Sequence, residues 1–291
     1  MFIDNPTIPA QLEVLLEVIH AMRDRKADVG ALKLLIQPKG LPGLSNSSEH
    51  LELHVKAAKD LGLVQQDSEK NIRLVDNSRR SFNAKRTILK AFDKLVLSGT
   101  DVEKWAARFY SYLIVQHDDV GPESNAKQEL LAKEFMERLP PSISNQNAMN
   151  RTKYGGLVRW YCYAGLGWID PSGRFVPDPT IRVRRSLPEI WGNKKKMDID
   201  DFMMRLAEVC PELDGGVIFA EVTVGQYNYS NKEFTRSLGT ALWRLHDEDD
   251  LRLICPNDSI GWRLDRAGKD LVKGEASNRV SQIERNQRVE A

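Results

Sequence analysis

The sequence predicts a mainly α-helical protein with small β-hairpins, because one local pattern occurs three times. In each copy an apolar helical run leads into a short strand, a polar turn and a second short strand. The copies cover residues 53–75, 154–178 and 242–265. The middle copy has the clearest turn, Asp170-Pro171-Ser172-Gly173, with Pro and Gly where tight turns favour them. Because a winged-helix domain ends in a helix followed by a hairpin, we predict three tandem winged-helix units.

This prediction fixes three hairpins, at residues 63–75, 167–176 and 251–264, each directly after a helix. It also places three apolar side chains of the middle copy between hairpin and helix. We therefore expect Leu166, Trp168 and Phe175 to be largely buried.

The first unit is predicted to span residues 1–76. Apolar residues at helical spacing predict an amphipathic helix over 9–24, and capping signals predict helices over 29–36 and 49–61. The third helix corresponds to the recognition helix of a winged-helix fold. Its outward charges are mixed in sign: Glu49, Glu52, Lys56 and Lys59. This favours protein contact over a strong grip on phosphates.

The second unit is predicted to span residues 84–191, with additional helices before its hairpin. An aromatic stripe on its second helix is typical of a core and not of a ligand site. The members of this stripe are Trp105, Phe109, Tyr112 and Leu113.

The third unit is predicted to span residues 198–265. It would hold a helix over 202–209, a strand over 217–224 and a helix over 232–246. The polar tail, residues 266–291, has almost no aromatic residues, so we expect it to be disordered.

Composition bounds the function class. Hydrophobic residues make up 41% of the 291 residues, and no apolar run approaches the roughly 20 residues that span a bilayer. The first residues lack the basic segment of a secretory signal. Three widely spaced cysteines indicate a reducing compartment without disulfides or a zinc site. We expect a soluble cytoplasmic protein without membrane contact.

Motifs for catalysis are missing from the sequence. There is no Gly-rich phosphate loop, HExxH or GxSxG. His50 and His54 are one helical turn apart, and we expect an exposed pair and not a metal site. The cluster at residues 117–119 (His, Asp, Asp) could mimic a nuclease centre, but a solvated helix end explains it better. We therefore expect no catalytic residue, metal, cofactor or small-molecule substrate.

Charge is unevenly placed along the chain. Residues 151–196 hold ten Lys and Arg against three acids, whereas residues 198–250 hold twelve acids against four bases. Phosphate neutralisation by Lys and Arg dominates DNA affinity, so the basic stretch predicts contact with double-stranded DNA. The candidate residues are Lys153, Arg159, Arg174, Arg182, Arg184 and Arg185. Alternatively, these side chains pair with the acidic third unit inside one molecule.

Short segments of the middle and third units resemble the DpdG-like proteins of bacterial Dpd gene clusters. They are Gly165-Leu166-Gly167-Trp168, residues 175–180 (FVPDPT), residues 187–191 (LPEIW) and Asp214-Gly215-Gly216. The resemblance covers roughly residues 150–265. Such clusters install 7-deazaguanine derivatives in DNA and restrict unmodified DNA. The resemblance therefore implies an antiviral defence complex whose chemistry lies in partner proteins.

Two hypotheses for the function follow. The first is a non-catalytic, DNA-associated adaptor within a modification and restriction complex. The second is a purely protein-binding winged-helix scaffold without DNA contact. Salt-dependent DNA binding distinguishes them.

Overall fold

The computed structural model describes residues 7–22, 27–36, 49–75, 82–97, 101–116, 124–139, 149–254, 261–264 and 279–286. Helices dominate this part of the chain, and its strands form small antiparallel sheets. The prediction of a mainly α-helical fold with small hairpins is therefore confirmed.

The described helices follow the chain in order. They are α1 (Pro9–Met22), α2 (Val29–Ile36), α3 (Glu49–Asp60), α4 (Ala84–Ala91), α5 (Asp101–Val115), α6 (Asn125–Arg138), α7 (Arg151–Ala164), α8 (Thr180–Trp191), α9 (Ile199–Val209), α10 (Val217–Val222) and α11 (Arg236–Asp247). The described strands are β1 (Val64–Gln66), β2 (Ile72–Leu74), β3 (Gly167–Ile169), β4 (Phe175–Pro177), β5 (Lys196–Asp198), β6 (Leu251–Ile254), β7 (Trp262–Arg263), β8 (Arg279–Val280) and β9 (Gln282–Arg285).

The first predicted hairpin is confirmed. β1 and β2 pair antiparallel, with Val64 opposite Leu74. The carboxylate of Asp67 accepts hydrogen bonds from the backbone N–H groups of Glu69 and Asn71 at 3.0 and 2.9 Å. Asx-type bonding of this kind folds a turn without help from distant residues.

The second predicted hairpin is also confirmed, since β3 and β4 pair antiparallel. Leu166 and Phe175 are buried as expected. The expectation for Trp168 was wrong, because its side chain is 43% exposed. Successive residues of a strand face opposite sides, and Phe175 packs over Gly167 on the core side. Trp168 therefore projects from the other face.

The third predicted hairpin, over 251–264, was wrong. β6 pairs with β9 and β7 pairs with β8, so both strands find their partners beyond residue 278. β9 also pairs with β5, which completes a three-stranded sheet in the order β5-β9-β6.

The expectation of a disordered tail over 266–291 was therefore wrong for residues 279–286. Val280 and Ile283 are fully buried. The average composition of the tail is polar and conceals these two apolar residues, whose burial together with backbone pairing offsets the entropy of ordering the strands.

The strand predicted over 217–224 was wrong as well. The residues form α10, which packs against α5 and buries Ile218, Phe219 and Val222. A short apolar run fits both a buried strand and a buried helical turn, so its neighbours decide between them.

One continuous core runs from α1 to β9. It includes the aromatic stripe of α5, whose predicted burial is confirmed. Polar contacts also join the predicted units, since the Trp160 indole N–H donates to the carbonyl of Thr7 at 2.9 Å. Among the described helices, none is long and apolar enough to cross a membrane.

Candidate nucleic-acid interface

The helix α7 positions the first part of the candidate interface. The side chain of Asn150 caps its start by accepting a hydrogen bond from the Lys153 backbone N–H at 3.0 Å. Gly165 ends it in the left-handed region, with φ of 69°. Between these ends, Leu157, Trp160 and Tyr161 are fully buried and hold the helix on the core.

What α7 leaves accessible is a narrow stripe, which we call the α7 stripe. It consists of Arg151, Thr152, Gly155, Arg159, Cys162 and Tyr163. The helix contains no Asp or Glu, so the stripe is positively charged. A Cβ atom at Gly155 would meet nothing within 4 Å, which leaves open space between the two arginines.

A neighbouring cation extends the α7 stripe. The Lys85 ammonium lies 5.6 Å from the ring centre of Tyr163, which is one helical turn beyond Arg159. The hydroxyl of Tyr163 donates to the Glu13 carboxylate at 2.9 Å, so this end of the stripe carries both a cation and an acid.

Arg182, a predicted DNA contact, lies inside the protein and is only 4% exposed. Its Nε donates to Glu212 Oε1 at 2.8 Å, and its Nη2 donates to the carbonyl of Val209 at 2.9 Å. Its Nη1 donates to the Ser186 hydroxyl at 2.7 Å. Glu212 itself has no exposed surface. Contrary to the prediction, Arg182 presents no charge to DNA, because α8 packs on α9 and encloses it.

The enclosure of Arg182 and Glu212 shifts the pKa of both side chains. Burial raises the pKa of Glu212, and the guanidinium of Arg182 opposes that rise. Burial, the largest single influence, would lower the pKa of Arg182, but the interactions with Glu212, Cys210 and Asp93 together outweigh it and raise the pKa. Arg182 therefore carries its charge in the interior, where Glu212 is its nearest counter-charge.

The next two candidates are paired nearer the surface. Arg185 donates to both carboxylate oxygens of Asp93, at 3.0 and 2.9 Å. Arg184 donates to Asp250 at 2.7 Å and also pairs with Glu248. Arg182 and Arg184 therefore pair with acids of the predicted third unit, which is the alternative role that the sequence left open.

The last three candidates differ in exposure. Arg174 pairs with Asp170 inside the second hairpin at 3.0 Å, and Lys153 is only 8% exposed. Arg159 is exposed and has no ion pair within the described part of the chain. The structure therefore does not bring the six residues together on one surface. Contact of Lys153, Arg159, Arg174, Arg184 and Arg185 with DNA stays a prediction.

Arg151, the second arginine of the α7 stripe, was missed as a candidate although the basic count included it. The signal that could have found it is its place at the N-terminal end of a helix without acids, eight residues before Arg159.

A groove lies between the second hairpin and α11, and we call it the Trp168 groove. Its volume is about 170 Å³. It is lined by Trp168, Val176, Pro177, Asp178, Arg236, Ser237, Thr240 and Arg244. Arg244 pairs with Asp178 across it. The Trp168 groove therefore combines an exposed indole with an arginine that is already paired.

The model of the DpdG-like family matches residues 3–259. The chain belongs to the DpdG-like family. This confirms the resemblance seen in residues 150–265 and extends it to the N-terminal unit, which the sequence alone did not connect to a family. No curated protein and no solved structure gives a match.

The histidine pair of this DpdG-like protein is not the exposed pair that was expected. His54 is buried, and its Nε2 accepts a hydrogen bond from the Ile8 backbone N–H at 3.3 Å. Its Nδ1 lies 2.6 Å from the carbonyl of His50, to which it donates. Both ring nitrogens are therefore occupied by the fold.

The remaining candidates for chemistry are the other groups that could bind a metal or act as nucleophiles. Within the described residues, no group of three or more His, Cys, Asp or Glu side chains could hold a metal ion. Residues 117–119 and Cys255 lie outside the described residues. Cys210 is buried and Cys162 is partly buried.

Proposed function

We propose that this DpdG-like protein is a non-catalytic adaptor that contacts duplex DNA within a Dpd modification system. The observation that carries the DNA contact is the α7 stripe, an accessible helix face with two arginines and no acid. α7 leads directly into the hairpin of β3 and β4. In the winged-helix arrangement that we propose for this unit and for the first one, such a helix is the recognition helix.

The geometry of the α7 stripe suits a phosphate backbone. Arg151 and Arg159 are eight residues apart, which is about 12 Å along a helix axis. The major groove of B-DNA is also about 12 Å wide, so the two guanidinium groups can bind phosphates on both of its sides. Arg151 lies at the helix N-terminus, where the helix dipole adds further attraction for an anion.

Open space at Gly155 supports the same proposal. A longer side chain there would stand between the two arginines and hold the helix axis away from DNA. Its absence lets the backbone of α7 approach closely. These contacts fix position and carry no sequence information, so we expect sequence-independent binding.

A second candidate function is a protein-binding scaffold without DNA contact. The observation that favours it is the internal pairing of the basic and acidic stretches. Arg182 pairs with Glu212, Arg184 with Asp250 and Lys194 with Asp201. Charges neutralised in this way contribute little to DNA affinity.

Salt dependence of duplex binding distinguishes the two candidates. We would measure fluorescence anisotropy of a labelled duplex across a salt series, for wild type and for Arg151→Ala/Arg159→Ala. Each lost phosphate contact reduces the slope of log K against log salt by about 0.9. The slope of the double variant should therefore be smaller than that of the wild type by roughly two.

A matched control removes two other exposed cations. Lys195→Ala/Arg252→Ala changes the net charge equally, but these residues lie in the turn before β5 and on β6. It should leave the slope unchanged. If the wild type binds no duplex at low salt, or if both double variants behave alike, the DNA-contact proposal is wrong and the scaffold takes its place. DNA cleavage by the purified chain with divalent cations would contradict the non-catalytic role.

A further inference from the structure

An exposed surface that the duplex contact does not use lies on α10 and on the loop that follows it. Nine residues of the range 217–231 are exposed, and we call them the neutral patch. They are Val217, Ala220, residues 224–226 and residues 228–231. Val224 is 82% exposed and Val217 is 64% exposed, so apolar side chains form part of this surface.

The neutral patch carries no ionisable Lys, Arg, His, Asp or Glu side chain. Residues 222–231 contain none of these five residue types, although 29% of the whole chain is Asp, Glu, Lys or Arg. Glu221, the acid within the range 217–231, is only partly exposed, and its carboxylate pairs with Arg108 at 2.7 Å. The neutral patch therefore presents apolar, hydroxyl and amide groups to its surroundings.

The fold fixes the position of the neutral patch. Gly215 has a φ of 80°, and the ring of Tyr229 lies over it so closely that a Cβ atom would come within 2.3 Å of the ring. The hydroxyl of Tyr227, in the same loop, donates to the buried Asp214 carboxylate at 3.3 Å. The segment 214–216, which carries part of the family resemblance, therefore shapes this surface. A surface that is already ordered loses little conformational entropy when a partner covers it.

The composition of the neutral patch favours a protein as its partner. Without Lys or Arg it has no group to neutralise phosphates, so it does not suit nucleic acid. Scarcity of charge together with Tyr is typical of the centre of a protein–protein interface, and charged residues are typical of its rim. Such residues border the neutral patch, where Lys232 pairs with Asp200 at 2.8 Å and Arg263 pairs with Glu233 at 3.3 Å. A charged partner surface would lose its hydration here without gaining a counter-charge, so the partner surface is also uncharged.

A second copy of the chain meets this requirement. Two identical charged surfaces repel each other across a two-fold axis, as two copies of the α7 stripe would, whereas two uncharged surfaces do not. Amide side chains carry both donors and acceptors, so Gln226, Asn228 and Asn231 can bond to the same groups of a second copy. The neutral patch is therefore complementary to itself, as a two-fold dimer requires.

The area of the neutral patch sets the strength of such a contact. A standard interface buries about 800 Å² per partner with about 20–30 residues, which is roughly 30–40 Å² per residue. The nine residues and the four charged residues at their border would then bury about 400–500 Å² on each copy. The total is close to the lower limit for a specific interface, about 1,000 Å². We therefore expect a reversible dimer with a dissociation constant of about 1–100 µM.

We propose that the neutral patch is the contact between two copies of this chain in a two-fold dimer. The proposal concerns the free protein and stands on residues that the duplex contact does not use. The dimer carries two α7 stripes, so one dimer has two sites for duplex DNA.

The test measures the mass of the full chain by sedimentation equilibrium at about 1–200 µM, a range that includes the expected dissociation constant. Wild type should change from monomer to dimer across this range. Val224→Glu should raise the dissociation constant at least about 30-fold, because it places two like charges in the contact. Its melting temperature should stay unchanged, since the side chain is exposed.

Two matched variants serve as controls. Val224→Thr keeps the position uncharged and should dimerise like wild type. Val14→Glu makes the same change as Val224→Glu at another exposed valine, which lies on α1, and should also dimerise like wild type.

Salt provides a second, independent measurement. Association through an uncharged contact should change by less than about twofold between about 50 and 500 mM salt, because there is little charge to screen. The proposal is overturned if wild type stays monomeric over the whole concentration range, which would leave the neutral patch to a different protein. It is also overturned if Val224→Glu dimerises as strongly as wild type. A dimer that dissociates at high salt would overturn it in favour of a contact between charged surfaces.

The dimer and the duplex contact fail separately, because the dimer is measured without DNA. Arg151→Ala/Arg159→Ala should dimerise like wild type. A wild type that dimerises but does not bind duplex DNA contradicts only the contact at the α7 stripe. A monomeric wild type that binds duplex DNA through Arg151 and Arg159 contradicts only the dimer.

Discussion

Replacing Arg182 with Met should destabilise the protein strongly, although the sequence suggested a surface residue. The variant keeps most of the apolar stem and removes the guanidinium. It leaves the carboxylate of Glu212 fully buried without its nearest counter-charge. It also removes the hydrogen bonds to Ser186 and Val209.

The magnitude follows from the burial of both partners. Removing one partner of a buried ion pair costs about 3–5 kcal/mol, because the remaining charge stays uncompensated. The two other hydrogen bonds add little, since the Ser186 hydroxyl still donates to the backbone carbonyl of residue 182 at 3.0 Å. We therefore expect a loss of about 3–5 kcal/mol in the free energy of unfolding.

Urea denaturation followed by circular dichroism measures this loss. With a slope near 3 kcal/mol per molar, the midpoint should fall by about 1–2 M. The control is Arg159→Met, an exposed site, which should change stability by no more than about 0.5 kcal/mol. Arg182→Met/Glu212→Gln should recover part of the loss, because no buried charge remains.

Acidification gives a second check on the same pair. Burial already raises the pKa of Glu212, and loss of Arg182 removes the opposing charge. A carboxyl whose pKa is higher in the folded state binds a proton more tightly there, so lowering the pH favours folding. The difference in the free energy of unfolding between wild type and Arg182→Met should therefore be smaller at pH 5 than at pH 8. Equal midpoints for wild type and variant at pH 8 would refute the argument.

Three further predictions concern stability. Ile283→Ala should lower the free energy of unfolding by about 2–5 kcal/mol, because Ile283 is fully buried in β9. An unchanged denaturation curve would show that β9 does not contribute to the core. Trp168→Ala should lower the free energy of unfolding by less than about 2 kcal/mol, whereas Trp160→Ala, at a fully buried site, should lower it by about 3–5 kcal/mol. Equal losses for the two variants would contradict this expectation. Burial raises the pKa of Asp214 from 3.8 to about 6. The protonated carboxyl therefore stabilises the folded state fully below pH 4, and this contribution is lost as the pH rises through 6. The loss in the free energy of unfolding is about 3 kcal/mol. Asp214→Asn should flatten melting temperature against pH between 4 and 6, and an unaltered profile would be inconsistent with this assignment.

Local chemistry was enough to predict much of the fold. Helices end where Gly165 adopts a positive φ, and both confirmed hairpins turn on an Asp that accepts backbone hydrogen bonds within four residues. Such interactions involve neighbours in sequence, so the sequence displays them directly. The DpdG-like resemblance was likewise visible in short segments, and the family match confirms it.

For the candidate site, the sequence alone determined the composition and the tertiary structure decided the exposure. Arg159 and Arg182 look alike in sequence, yet one is exposed and the other is enclosed by Glu212, 30 residues away. Strand β9 pairs with β6 and β5, which lie far from it in the sequence, so no local pattern predicts this pairing. The physical reason is the same in each case: the burial of a charge and the partner of a strand depend on residues that only the folded chain brings together.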